Sequence, residues 1–328
     1  MRWLVTGGCG FIGRNLVQLL CERGEDVRVL DNLSVGARPD LEAVGRFVEV
    51  DPARPAGPPT GLELVVGDVR DRQAVDAAAS GADVIVHLAA RTGVIPSVQD
   101  PLGDCETNVI GTLNCLEAAR HRSVSRFVFA SSGAPIGNRE PPLHEEMAPR
   151  PVSPYGASKL AGEGYCSAYH GSYGLGTVAL RFSNVYGPLS GKKESVVARF
   201  VRQALDGEPL VVYGDGSQTR DYLYVGDLVR CIVAAGRSSL GGELFQVATG
   251  KETPLNELLD ALAGTLASEG VPQPEIVREP ARSGEVLRSG ADISKVARAL
   301  GWAPETSLGE GLRHTVRWFV RERDRREA

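Results

Sequence analysis

Short apolar runs rich in β-branched residues alternate with helical segments through the first half of the chain. The runs RWLVTG, DVRVLD, LELVVGD, DVIVHLAA, RFVFASS and TVALRFSNV read as strands, while FIGRNLVQLLCERG and NVIGTLNCLEAARHR have helical periodicity. Continuous apolar strands separated by helices are typical of a parallel sheet covered on both faces. We therefore predict an α/β fold with a doubly wound parallel sheet. The stretch 38–61, rich in proline and glycine, is interpreted as a surface excursion.

The pattern changes after about Asn184. Helices such as SVVARFVRQALDGE and PLNELLDALAGTLA are there separated by long polar loops, and strands become fewer. We predict that residues 1–183 form the sheet domain. Residues 184–328 are predicted to form a smaller mixed α/β lobe over the carboxyl end of the sheet, with some segments able to return to the first domain.

Composition narrows the class of protein. A net charge of −5 on 328 residues lacks the excess of positive charge that is typical of proteins that bind nucleic acid or an anionic membrane. The six cysteines have neither disulfide-type nor metal-type spacing. No apolar run approaches the ~18 residues of a membrane span, and the first residues enter a strand at once. We expect a cytoplasmic protein without a metal, nucleic-acid or membrane partner.

A glycine-rich loop follows the first strand and opens the first helix, in VTGGCGFIG. Gly7, Gly10 and Gly13 fit the spacing GxxGxxG, and Gly8 with the last two also fits GxGxxG. Such a loop permits a tight turn, close approach of the backbone to a pyrophosphate and close helix–strand packing. The context predicts a Rossmann dinucleotide site.

Asp31 ends the second strand, eighteen residues after Gly13. Its carboxylate is suited to accept hydrogen bonds from an adenosine ribose and would repel a 2′-phosphate, which favours NAD over NADP. The alternative is a structural glycine turn followed by a coincidental aspartate.

A tyrosine and a lysine lie four residues apart in SPYGASKLAGE, a segment of good helix formers. This spacing places Tyr155 and Lys159 on one face of a helix. A nearby ammonium and the positive ring of an oxidised nicotinamide are expected to lower the pKa of the tyrosine, which could then act as a general base. Ser132, in SSGAPIGN at a strand end, would hold the same substrate oxygen. The alternative is an exposed helix with a snorkelling lysine.

Together these motifs make the sequence resemble the extended short-chain dehydrogenase/reductases, and within them the nucleotide-sugar 4-epimerases. The resemblance spans nearly the whole chain, including TGGCGFIG, LDNLSVG, HLAA, TNVIGTLNCLEAA, SPYGASKLAGE, RFSNVYGP and DISKVARALGW. It implies catalytic roles for Ser132, Tyr155 and Lys159, a cofactor role for Asn108, and a homodimer formed through the helices around NVIGTLNCLEAARHR and YGASKLAGEGYCSAYHG. The cofactor-binding set so predicted is Gly7, Gly10, Phe11, Ile12, Gly13, Asp31, Asn32, Ser34, Gly36, Asp68, Val69, Leu88, Ala89, Ala90, Asn108, Tyr155 and Lys159.

The resemblance also implies a UDP-sugar substrate. The arginines predicted to contact it lie in polar loops and suit a diphosphate. A serine at position 289, where relatives restricted to simple hexoses often have tyrosine, would leave room for an N-acetyl group. The predicted substrate set is Ser132, Asn184, Val197, Val211, Tyr213, Arg220, Arg282, Glu285 and Ser289.

The residues after Ser132 bear on the reaction. Related 4,6-dehydratases carry an Asp–Glu pair where this chain has Gly133 and Ala134, which have no side-chain group for proton transfer. We predict NAD-dependent 4-epimerisation through a transient 4-keto sugar, in a glucose/galactose, N-acetylhexosamine or uronic acid form. Alternatives are a 4-ketoreductase or dehydrogenase, a decarboxylase and a non-catalytic NAD-binding scaffold. Pro135 and Ile136 replace a usual Val–Tyr, and we expect the sugar pocket to be altered there.

Overall fold

The computed structural model describes residues 1–52, 57–281 and 287–327. Strands and helices alternate along the first half, as the apolar pattern predicts. The strands are β1 Arg2–Thr6, β2 Asp26–Asp31, β3 Val48–Glu49, β4 Leu62–Val66, β5 Val84–His87, β6 Arg126–Ser132, β7 Gly176–Phe182, β8 Asn184–Tyr186, β9 Leu210–Tyr213, β10 Thr219–Arg220, β11 Tyr222–Tyr224, β12 Glu243–Val247, β13 Thr253–Pro254 and β14 Ile276–Glu279. The α-helices are α1 Phe11–Glu22, α2 Arg38–Glu42, α3 Arg72–Ala78, α4 Val94–Gln99, α5 Pro101–Cys105, α6 Gly111–His121, α7 Pro154–Tyr173, α8 Val196–Leu205, α9 Val225–Arg237, α10 Leu255–Ser268, α11 Ser294–Leu300 and α12 Leu308–Glu327, and a π-helical turn, Glu106–Ile110, precedes α6.

Within the described residues, eight parallel strands form the central sheet in the order β12-β7-β6-β5-β1-β2-β4-β3. The chain runs from β1 to β2 in one direction and later places β5 on the other side of β1. This reversal opens a crevice at the carboxyl ends of β1 and β5, where such folds bind their ligands. The predicted Rossmann-type α/β fold is confirmed, and its last strand, β12, comes from beyond residue 184.

Apolar side chains pack against both faces of this sheet. On one face, α1 and α9 contribute Leu16, Leu20 and Ile232 to a buried cluster. On the other face, α6 and α7 contribute Leu116 and Cys166. Strands buried on both sides explain why their sequences are continuously apolar rather than alternating.

The chain after β7 builds most of a smaller mixed unit with its own apolar cluster, formed mainly by α8, α10 and α12. Short ladders accompany these helices: β8 pairs with β11 and β9 with β14 in parallel, while β10 pairs with β13 in antiparallel fashion. These ladders place loop residues near the carboxyl edge of the large sheet.

The stretch 38–61 contains regular structure that its composition did not predict. Helix α2 and the two-residue strand β3 lie in it, and β3 pairs with β4 at the edge of the large sheet. Proline suits the first turn of α2, where its missing N–H costs nothing.

Candidate active site

The glycine loop turns where side chains would not fit. Gly7 has a φ of +71°, and a Cβ there would lie 2.8 Å from the backbone nitrogen of Ala89. A Cβ on Gly13 would clash with the Gly7 carbonyl oxygen and lie 2.6 Å from the Gly8 Cα. Gly10 caps α1 with extended backbone. The loop is thus packed tightly against the sheet and turns directly into the start of α1, as a pyrophosphate site requires.

Asp31 ties this loop to the end of β2. Its carboxylate accepts hydrogen bonds from the backbone N–H groups of Cys9, at 2.9 Å, and Leu33, at 2.8 Å. Burial raises the pKa of Asp31, and these two hydrogen bonds oppose that rise. The carboxylate thus holds the glycine loop to the end of β2. The neighbouring Asn32 and Ser34 are exposed.

Asn32 contacts Asp68, one of the residues that line a neighbouring pocket. Its side-chain amide donates to the Asp68 carboxylate at 2.9 Å, and Arg70 forms an ion pair with the same carboxylate at 2.9 Å. The hydrogen bonds from Arg70 hold the pKa of Asp68 well below its usual value. A cavity of about 430 Å³ is lined by Asp68, Arg70, Asp71, Glu106 and Ile110. Val69, a member of the predicted cofactor-binding set, is itself almost entirely buried.

The predicted catalytic side chains meet at the carboxyl end of β6. Ser132 ends that strand, and α7, capped by Ser153, carries Tyr155 and Lys159. The Lys159 ammonium lies 5.9 Å from the centre of the Tyr155 ring and donates to the Ala130 carbonyl at 2.9 Å. Ser132 on β6 and the Tyr155–Lys159 pair on α7 thus come together because these two elements pack against each other.

The pKa values of this pair favour a protonated tyrosine. Burial raises the pKa of Tyr155, and a hydrogen bond with Ser132 only partly opposes this. Burial also lowers the pKa of Lys159 to about 8. Lys159 alone therefore does not offset the effect of burial on Tyr155, and the predicted phenolate still requires the second positive charge, that of an oxidised nicotinamide.

Asn108 lies in the π-helical turn and is 1% exposed. Its amide oxygen accepts from the Arg91 N–H at 2.8 Å, and its amide nitrogen donates to the Arg91 carbonyl at 2.9 Å. This two-way contact holds the loop after β5, which contains Leu88, Ala89 and Ala90. Asn108 therefore lies beside the loop that is predicted to border the cofactor.

A buried ion pair behind the catalytic helix was not anticipated from the sequence. Arg181 of β7 donates to the Glu163 carboxylate at 2.7 and 2.8 Å, and the Ser131 hydroxyl donates to it at 2.5 Å. Glu163 follows Lys159 by one helical turn, which is the signal that could have revealed it.

Lys193 is another cation that the sequence analysis missed. Its ammonium lies 4.9 Å from the centre of the Phe11 ring and donates to the Val185 carbonyl at 3.0 Å. Burial lowers the pKa of Lys193 to about 8. The residue thus brings a desolvated positive charge to the start of α1.

The predicted substrate-binding residues differ in how far their side chains are exposed to solvent. Asn184 is exposed, and the side chains of Val211, Tyr213, Arg220 and Ser289 are partly exposed. Val197 is instead 1% exposed in the apolar cluster of the smaller unit, so it has no free surface for a ligand. Arg282 and Glu285 lie outside the described residues.

The loop after Ser132 also differs from expectation. The side chains of Pro135 and Ile136 are buried, so they do not present a wall to a ligand. Gly133 is partly exposed, and a Cβ built on it would meet nothing within 4 Å. The open space beside Ser132 therefore lies at Gly133.

Comparisons with known proteins agree with this geometry. The model of the NAD dependent epimerase/dehydratase family matches residues 3–248. A UDP-glucose 4-epimerase of Mycolicibacterium smegmatis is 39% identical over 324 residues, which cover 97% of this chain and 98% of that protein. Relatives above 30% identity also include a UDP-glucuronate 4-epimerase of Thermodesulfobacterium geofontis and a dTDP-glucose 4,6-dehydratase of Streptomyces niveus. The chain belongs to the NAD-dependent epimerase/dehydratase family.

Solved structures give the same result. A UDP-glucose 4-epimerase of Thermus thermophilus in complex with NAD has a TM-score of 0.83 and 39% identity, with 98% of this chain and 99% of that chain covered. A UDP-N-acetylglucosamine 4-epimerase from Methanobrevibacter ruminantium, in complex with UDP-N-acetylmuramic acid, has a TM-score of 0.87 and 31% identity, with 98% of each chain covered. The predictions of the family and of NAD as its cofactor are confirmed.

Proposed function

We propose that this chain catalyses NAD-dependent 4-epimerisation of a UDP-sugar through a transient 4-keto sugar. The observation that carries the proposal is the meeting of Ser132, Tyr155 and Lys159 at the sheet edge, beside an open and chemically inert position at Gly133. Oxidation and return of hydride at one carbon need no further acid or base. Elimination of water would need one there.

The residues present fit NAD. The glycine loop exposes backbone N–H groups at the start of α1 for the pyrophosphate, with Phe11 and Ile12 as the first helical residues. Asp31 with Asn32 and Ser34 would hold the adenosine ribose, Asp68 and Val69 would border the adenine, and the loop 88–90 with Lys159 would border the nicotinamide end. NAD, when bound, supplies the acceptor and donor of hydride, and in its oxidised form the positive charge that lowers the pKa of Tyr155.

The side chains of this protein handle the proton. Tyr155 takes the proton of the sugar 4-hydroxyl during oxidation and returns it during reduction. The Ser132 hydroxyl holds the same oxygen. Lys159, anchored to the Ala130 carbonyl, keeps a positive charge close to the phenolate. The sugar must present either face of C4, so binding energy belongs at the nucleotide rather than at the sugar.

At the substrate end, Asn184, Arg220 and Ser289 are proposed contacts. All three have accessible side chains in the smaller unit. Arg220 would bind the diphosphate, and Ser289 leaves room for a substituent at C2. An N-acetylhexosamine is therefore as acceptable as glucose or galactose in this proposal.

The test is incubation with a panel of UDP- and dTDP-sugars without added cofactor, reading the C4 configuration by NMR. Inversion at C4 with no net redox change supports the proposal. A deoxygenated or decarboxylated product would assign the chain to one of the other reactions, as would stoichiometric release of NADH. Absence of turnover on every sugar, with NAD bound, would favour a scaffold.

We also propose a homodimer in the cytoplasm. Leu102 and Ile110, near the amino end of α6, and Tyr165 on α7 leave apolar surface exposed. All six cysteines lie in the described ranges, and none forms a disulfide there, in keeping with a reducing compartment. Light scattering at micromolar concentration tests the dimer, since a monomer would contradict it.

A further inference from the structure

Asp104 is a buried acidic side chain close to the catalytic helix with no role so far. It lies in α5, four residues before Asn108, and is 2% exposed. Its Oδ1 accepts a hydrogen bond from the Asn108 amide at 2.9 Å. Its Oδ2 is buried and has no hydrogen-bond partner among the described residues. A buried oxygen without a hydrogen bond costs free energy in a folded protein, so its presence calls for an explanation.

The contacts of Asp104 lead to the catalytic pair. The same Asn108 amide also approaches the Ser158 hydroxyl at 3.2 Å, and Ser158 donates to the Tyr155 carbonyl at 3.0 Å. Helices α5 and α7 pack together at this point. The carboxylate is therefore held by a short polar chain against the turn of α7 that carries Tyr155 and Lys159.

Two other titratable side chains lie near the pair. Glu163, one turn further along α7, forms an ion pair with Arg181 of β7 at 2.7 Å. His87 of β5 is kept neutral, because burial first and Lys159 second lower its pKa to about 3. No ion pair to Asp104 is formed among the described residues, so its charge is left to act on the catalytic pair. In keeping with this, Asp104 raises the pKa of both Tyr155 and Lys159, and Glu163 adds a smaller rise at Lys159 only.

We propose that Asp104 is a positioning residue of the reaction site whose buried carboxylate is the counter-charge of the Lys159 ammonium. The proposal rests on the function proposed above. Burial alone would favour a neutral lysine, and a negative charge nearby opposes that. The same negative charge makes Tyr155 harder to ionise until the positively charged, oxidised cofactor binds. Asp104 would thereby couple ionisation of Tyr155 to binding of oxidised cofactor.

The test is Asp104→Asn, which keeps the shape and removes the charge. Tyrosinate absorbance in the near ultraviolet is titrated in the NAD-bound protein, with the Tyr155→Phe protein subtracted, and the pH profile of hydride transfer is recorded. Removing a negative charge lowers the pKa of both neighbours. Phenolate should therefore appear at lower pH, and both limbs of the rate profile should move down by roughly one pH unit.

Controls separate charge from structure. Asp100→Asn removes an exposed carboxylate at the cap of the same short helix and should leave both titrations in place. Asp104→Ser, also neutral, should reproduce the shift and carries the test if Asp104→Asn fails to fold. A lower melting temperature with unmoved titrations, or a shift to higher pH, would overturn the proposal. The absorbance titration needs no turnover, so it stays readable if the epimerase assignment fails.

Discussion

The glycine loop and the loops around Ser289 are built in different ways. The loop from Gly7 to Gly13 is fixed by its close approach to the Ala89 backbone and by the Asp31 carboxylate, which accepts a hydrogen bond from the Cys9 N–H. The backbone N–H of Ser289 instead donates at 3.3 Å to Thr219, whose hydroxyl donates to Glu252. The first region tolerates almost no change in shape, whereas the second depends on side chains that can be exchanged. This suits an enzyme with a fixed cofactor and a substrate that varies between relatives.

The largest expected effect is on the rate of hydride transfer at the sheet edge. Tyr155→Phe removes the proposed base, and we expect the rate of hydride transfer to fall roughly a hundred- to ten-thousand-fold, with NAD binding retained. Single-turnover absorbance of NADH with an active UDP-sugar measures this. Tyr173→Phe, at the exposed end of the same helix, is the control and should be unchanged. Equal rates for wild type and Tyr155→Phe would disprove the mechanism.

The buried ion pair behind the catalytic helix should contribute more to stability than an exposed ion pair at the far edge of the same sheet. Glu163→Gln leaves Arg181 buried without its partner, and we expect a loss of about 3–5 kcal/mol in the free energy of unfolding. Glu49→Gln breaks an ion pair with Arg38 whose side chains are 45% and 47% exposed, and should cost less than about 1 kcal/mol. Urea unfolding of both variants makes the comparison. Similar losses would show that the buried ion pair contributes no more to the free energy of unfolding than the exposed one.

Glycine-to-alanine substitutions should have opposite effects on stability in the glycine loop and in the smaller unit. Gly13→Ala should lower the stability by roughly 1–3 kcal/mol and abolish retention of NAD, because its Cβ meets the backbone of Gly7 and Gly8. Gly264→Ala, in an exposed position of α10 with open space around it, should raise the stability by up to about 1 kcal/mol. Melting with and without NAD distinguishes the two. A Gly13→Ala protein that retains NAD would contradict the tight-loop account.

Much of the sheet edge could be predicted because its signals are local. The glycine spacing, Asp31 eighteen residues later and the four-residue step from Tyr155 to Lys159 each follow from one element or one turn. The buried side chains of Ile136 and Val197 could not be predicted, since their setting depends on packing between distant segments. The same holds for Asp104, which is linked to α7 through Asn108, whose contact Ser158 is fifty residues further along the chain.

The smallest effect is expected in the second region. Ser289→Tyr should fill space beside the sugar and lower kcat/KM for a UDP-N-acetylhexosamine about tenfold relative to UDP-glucose. Competition between the two sugars measures the ratio directly. A ratio that does not move would place Ser289 away from C2, and Ser289→Ala, which adds no bulk, serves as the control.

The central claim is that hydride leaves and returns to the same sugar carbon. A UDP-sugar carrying deuterium at C4 tests this, with the active substrate turned over in light water without added NAD. We predict an epimer that retains deuterium at C4. Deuterium found at C6 of a deoxygenated product, or lost to solvent or to released NADH, would contradict the account.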